Sequence, residues 1–187
     1  MTRIHLQDYN KQGTFLALTV HLPLTPDHPV LSLITLPNLL LAYAKDLAFA
    51  DPTSNVPAGD IELTPEFLAS FESMLATERI ELRFFSGDWR GMAIPAGEQY
   101  DAVLTSETIY SLPSLAPLLD LVQAACKPET TCLIACKRIY FGVGGGENEF
   151  RRRVAERHGE VETVWGEGEG EGRTKGVGRV VMSVKWE

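Results

Sequence analysis

Tyr100-Asp101-Ala102-Val103-Leu104-Thr105-Ser106-Glu107 is the stretch on which the fold turns. It is a short apolar run bounded by polar residues, the pattern of a buried strand that stops at Thr105-Ser106-Glu107. An amphipathic helix follows over residues 115–126, and a second buried strand over 131–136 runs into Lys137-Arg138-Ile139-Tyr140-Phe141. Strand, helix and strand in this order build a parallel pair.

Working towards the N-terminus, residues 80–85 alternate as a strand that ends at Ser86-Gly87-Asp88-Trp89. Before it, Thr64 caps a helix with Pro65 at the first helical position and Phe67, Leu68, Phe71, Met74 and Leu75 as its buried stripe. Residues 30–44 have helical spacing, with Pro37 expected to break or kink them. Residues 50–59 read as loop. Residues 14–22 are β-prone and lead into a loop or insertion with Pro23, Pro26 and Pro29. Ile4-His5-Leu6-Gln7 is a short strand meeting a turn at Asp8-Tyr9-Asn10.

Towards the C-terminus, Gly142-Val143-Gly144-Gly145-Gly146 reads as a flexible loop, either a hinge or a substrate-side loop, and residues 149–157 as a polar helix. Residues 161–165 and 177–186 form the arms of an antiparallel hairpin. The Gly/Glu tract between them, 166–172, is expected to be a mobile insertion. The expectation is an α/β fold with strands starting near Ile4, Ile80, Val103 and Leu133, closed by an antiparallel pair.

Composition narrows the function classes. A chain of 187 residues has a one-domain length, and 44% apolar with 22% charged residues is ordinary for a globular protein. No apolar run reaches the roughly 18 residues of a membrane span, and no secretory h-region opens the chain. The net charge of −8 argues against direct nucleic-acid binding. Arg151, Arg152, Arg153 and Arg157 read as a solvated helix face. Cys126, Cys132 and Cys136 lack the spacing of a metal site and read as reduced, mostly buried thiols, so no metal is expected.

In an open α/β sheet, ligands bind beyond the carboxyl ends of the strands. Asp8 at such an end can accept from both hydroxyls of a ribose; the simpler alternative is an Asx turn. Asp88 and Trp89 suit an adenine ring, against core packing for Trp89. Ser106 and Glu107 add polar groups at a third end. The glycine-rich loop is neither Gly-x-Gly-x-x-Gly nor a Walker loop.

Five segments occurring in order carry a resemblance: Gln7 to Asn10, Thr35 to Asn38, Ser86 to Trp89, Tyr100 to Tyr110, and Tyr140 to Gly146. Over residues 4–158 the chain resembles the seven-β-strand, S-adenosylmethionine-dependent protein-histidine methyltransferases. The resemblance implies a Rossmann-like sheet and S-adenosylmethionine as cofactor. Gln7, Asp8, Tyr9 and Asn10 would hold the ribose side, Gly87, Asp88 and Trp89 the adenine, and Ser106 the methionine side, all in one pocket. Glu107 and Tyr110 would be the catalytic pair, and Tyr140 and Phe141 would shape the opening for the target side chain. The implied substrate is a histidine of a protein, a large-subunit ribosomal protein in the first place, in the cytoplasm and nucleus, with no membrane partner.

The family's first strand and its glycine loop would precede Ile4, so the expected fold is a single methyltransferase-like domain over residues 1–187 lacking both. Two alternatives remain at this point. One is an inactive remnant that acts as a binding module; the other is a protein-lysine methyltransferase of the same fold, which the Tyr140 to Gly146 segment argues against.

Overall fold

A computed structural model describes residues 2–9, 16–19, 30–50, 61–95, 97–166 and 177–186. The chain divides into two compact units, Met1–Asp88 and Trp89–Glu187. Each carries its own sheet.

In the first unit, β1 (Thr2–Tyr9) runs parallel to β3 (Ile80–Gly87), and β2 (Leu16–Thr19) pairs antiparallel with the other edge of β3. As the middle strand, β3 buries Leu82, Phe84 and Phe85. Leu82 and Phe84 form one core with Phe71 of α2 (Pro65–Thr77) and with Leu31, Leu36 and Leu40.

The start of α2 follows its sequence signals. Thr64 is extended, its side-chain oxygen accepts from the Phe67 N–H at 3.1 Å, and Pro65 takes the first turn, where its missing N–H costs nothing. Thr64→Ala is expected to lower stability by about 1 kcal/mol, the usual value of such a cap. Urea unfolding would register it as a lower midpoint at unchanged slope.

Pro37 does not break its helix. Residues Leu31–Thr35 form a π-helical turn, with the Leu36 N–H bonded to the Leu31 carbonyl, and α1 (Leu36–Ala50) continues from it. The wider turn lies just where the proline ring would crowd a regular α-helical turn, a common device for carrying a proline within a helix.

In the second unit, β4 (Tyr100–Ser106) runs parallel to β5 (Cys126–Lys137). Then come β7 (Arg179–Trp186) and β6 (Gly159–Gly166), both antiparallel, in the order β4-β5-β7-β6. The α/β class, the parallel pairing and the closing hairpin are those read from the sequence. α3 (Leu112–Ala125) buries Leu115, Leu118, Leu119 and Val122, and α4 (Glu147–Ala155) buries Phe150 and Val154.

Two readings need correction. β4 is a strand but not a buried one: Leu104 is 71% exposed. The cause is position, since β4 is an edge strand with β5 as its one ladder partner among the described residues. The helix ends at Ala125, and β5 starts at once with a bulge, because Tyr100 faces Cys126 while Ala102 faces Thr131. The Lys127 N–H closes that bulge on the Thr130 hydroxyl at 2.8 Å.

Most of the arginine cluster is neutralised on the surface of α4. Arg152 pairs with Glu149 and Glu156, Arg153 with Glu149, and Arg157 with Asp120. The Arg152 and then the Arg153 hydrogen bonds hold the Glu149 carboxyl at about 2. Cys132 and Cys136 are buried and Cys126 half-buried, all as free thiols. No helix among the described residues is long and apolar enough to cross a membrane, and no cluster there could hold a metal ion. Asn10, the 51–60 loop, the three prolines before Val30 and the Gly/Glu tract after Gly166 lie outside the described residues.

Candidate functional site

Two strand-end groups carry the candidate residues, one on each unit. On the first unit, parallel register places Asp8 beside Ser86 and Tyr9 beside Gly87, so β1 and β3 end level with each other. Gly87 has φ +126°, a conformation that disfavours a side chain, and the half-buried Asp88 follows it. Gln7 adds a distinct signal. Its Nε2 is enclosed and has no hydrogen-bond partner among the described residues. A buried amide donor without an acceptor is costly, and a bound polar group can satisfy it. Gln7 and Asp88 thus offer a ligand an unmet amide donor and a half-buried carboxylate.

On the second unit, Trp89 opens a short 3-10 turn and is buried, and Ser106 is exposed at the end of β4, beside Ala135 of β5. Glu107 follows with a left-handed backbone, φ +57°, and its N–H donates to the Ala135 carbonyl at 2.9 Å. This strained turn comes directly after the end of β4 at Ser106. The Tyr140 hydroxyl donates to the Glu107 carboxylate at 2.8 Å and accepts from the Lys137 N–H at 3.1 Å. The Tyr110 and Tyr140 rings lie 6.2 Å apart at a tilt, and the Lys137 ammonium sits 5.8 Å from the Tyr140 ring centre.

Around this pair lies an open groove of about 720 Å³, lined by Glu107, Tyr110, Lys137, Ile139, Tyr140, Phe141, Val143, Val177 and Arg179. Burial pushes the Tyr140 phenol up, the Lys137 N–H pulls it back, and the bond to Glu107 raises it again. Tyr140 therefore stays a neutral donor near pH 7. The groove can accept a flat side chain between aromatic walls and offer it a carboxylate.

The structure brings four of the residues singled out in the sequence into this groove: Glu107, Tyr110, Tyr140 and Phe141. Val177 and Arg179 had no local signal, because they arrive from the far side of the Gly/Glu tract. The glycine loop is not a free hinge. Gly144 bridges to Ser111, the Gly145 N–H donates to the Tyr110 carbonyl at 3.2 Å, and Gly146 bridges to Ile139. The C-terminal half of the loop is thus tied to Tyr110 and Ile139 of the groove.

No protein-family model matches the chain. Among curated proteins, histidine protein methyltransferase 1 of Schizosaccharomyces pombe is 37% identical over 131 residues, which is 67% of this chain and 38% of that protein. The chain belongs to the histidine protein methyltransferase 1 family. The Bos taurus homologue is 31% identical over 161 residues, 83% of this chain and 36% of its own, and the Saccharomyces cerevisiae protein 31% over 140 residues, 65% and 37%. The chain thus spans less than two-fifths of these relatives, which cover 36–38% of their length in the match. A solved S-adenosylmethionine-dependent methyltransferase from Leishmania major is 14% identical, covering 66% of this chain and 53% of that one, at a TM-score of 0.42. That likeness is too distant to bear on what a histidine protein methyltransferase 1 family member does.

Proposed function

We propose that the chain takes part in S-adenosylmethionine-dependent methyl transfer to a histidine side chain of a protein. The observation that carries this reading is the Tyr140–Glu107 hydrogen bond on the wall of an open groove, in a chain whose relatives are named for histidine methylation. Gln7, Asp8, Tyr9 and Asn10 would hold the ribose side of the cofactor, Gly87, Asp88 and Trp89 the adenine, and Ser106 the methionine side. When bound, S-adenosylmethionine supplies a methyl group on a sulfonium.

The protein's part is orientation. Imidazole has a reference pKa of about 6.5 and is largely neutral near pH 7, so a strong base is not required. The Glu107 carboxylate accepts from one imidazole N–H and thereby fixes the tautomer, leaving the other nitrogen's lone pair free. Tyr110 and Tyr140 confine the ring, and Phe141 shapes the mouth of the groove. Holding the ring at near-attack geometry supplies most of the rate.

A large-subunit ribosomal protein is the first substrate to test, and it would place the activity in the cytoplasm and nucleus. The chain and labelled S-adenosylmethionine are incubated with total large-subunit ribosomal proteins, followed by mass spectrometry of the labelled peptides. Methyl-histidine is the expected product. Label on lysine would favour the lysine-methyltransferase reading, and no label with intact cofactor binding the non-catalytic one.

A further inference from the structure

We propose that Glu147 is a positioning residue for the groove, acting through the 138–147 loop to seat Tyr140 on Glu107. Glu147 is the one buried carboxylate among the described residues, at 8% exposure, and it begins α4. One carboxylate oxygen accepts from Arg138 Nη1 at 2.8 Å, at the start of the loop. The other accepts from Arg151 Nε and Nη2 at 3.0 and 2.9 Å. Arg151 in turn donates to the Val161 carbonyl at 2.9 Å and to the Thr163 hydroxyl at 2.5 Å, which anchors the cluster to β6. The backbone repeats the closure, because the Glu147 N–H donates to the Arg138 carbonyl at 3.1 Å.

Loop entry and exit are therefore held together by one doubly charge-assisted carboxylate. Between these fixed ends lie Tyr140, which holds Glu107, and Gly144 and Gly145, which hold the turn that carries Tyr110. A surface helix that only needed an acidic first turn would not bury that residue between two arginines. A free loop would leave Tyr140 and Tyr110 without a common frame.

The test separates this role from general stability and from the methyl-transfer reading, on which only its kinetic arm rests. Amide exchange of the full chain is followed residue by residue by NMR. The Lys137 N–H reports on Tyr140 directly, since it donates to that hydroxyl. Glu147→Gln should speed exchange at Lys137 and Gly145 tenfold or more and leave the Ile134 and Met182 amides unchanged. Arg138→Met, which keeps the Glu147–Arg151 pair, should act in the same direction should Glu147→Gln fail to fold. Tyr140→Phe should speed Lys137 alone. In methyl transfer to ribosomal proteins, Glu147→Gln should raise KM severalfold more than it lowers kcat, and Glu147→Asp should restore part of the loss. Unchanged exchange at Lys137 in both variants would overturn the proposal even if α4 loosens. A wild-type chain without transfer activity would overturn the functional reading and leave the exchange result to decide this one.

Discussion

Gly145→Ala is expected to cost about 2–3 kcal/mol and to abolish the groove. The new methyl carbon would meet the Ile109 and Tyr110 carbonyl oxygens and the Tyr110 carbonyl carbon, all far inside van der Waals contact. These are backbone atoms, and Ile109 is fully buried, so neither side can swing away. The glycine loop must instead part from the 109–111 turn, breaking the Gly145–Tyr110 hydrogen bond and the Ser111–Gly144 bridge. Overpacking of this kind falls at roughly 1–3 kcal/mol, and the lost backbone bond adds to it. At about 2–4 °C per kcal/mol for a chain of this size, the melting temperature should drop by roughly 4–12 °C. Gly142→Ala is the control. Its backbone is also left-handed, φ +79°, but nothing lies within 4 Å, so it should lose only the roughly 1–2 kcal/mol of an L-residue in that region. Thermal unfolding of the two side by side decides the matter: if Gly145→Ala is no less stable than Gly142→Ala, the close approach is not what holds the loop.

The sequence made this loop conspicuous and misjudged its nature. Five residues with four glycines read as slack because composition reports freedom, whereas the reason for Gly145 is a contact with residues 109–110, far away in the chain. The same limit explains β4. Its apolar run and its polar stop gave the strand and its end correctly, but burial depends on what lies across the sheet, and Leu104 faces water on an edge strand. Local chemistry was legible wherever a local bond enforces it. Thr64 and Pro65 start α2 because their own side chains and ring do the work. The hairpin of β6 and β7 followed from apolar alternation despite the intervening tract. Of the groove residues, Glu107, Tyr140 and Phe141 lie at strand ends that the sequence marks, whereas Tyr110 entered only through the family resemblance. Glu147 was missed because the polar helix was read as starting at residue 149, two residues late, and only the placement of Arg138 and Arg151 shows its role.

Glu107→Gly should make the protein more stable and less active at once. Glu107 occupies the left-handed region at φ +57°, which an L-residue adopts at a cost of about 1 kcal/mol and glycine without that penalty. Its side chain contributes little in return to stability, because it is exposed and its hydrogen bond with Tyr140 lies at the surface. Removing it should therefore gain up to about 1 kcal/mol, read as a higher urea midpoint. The same change removes the carboxylate that would fix the imidazole tautomer. Misplacing a reacting group can cost about 100-fold, so methyl transfer should fall by about that much. Glu107→Gln separates the two effects, since it keeps the strained backbone and an oxygen to accept from Tyr140. It should leave stability nearly unchanged and still lose most of the activity, because an amide carries no charge to hold the ring N–H. Strain retained at a position whose relief would stabilise the fold marks a residue kept for function. A Glu107→Gly protein that transfers methyl groups at the wild-type rate would remove Glu107 from the mechanism, and one that is less stable would mean its surface contacts outweigh the backbone strain.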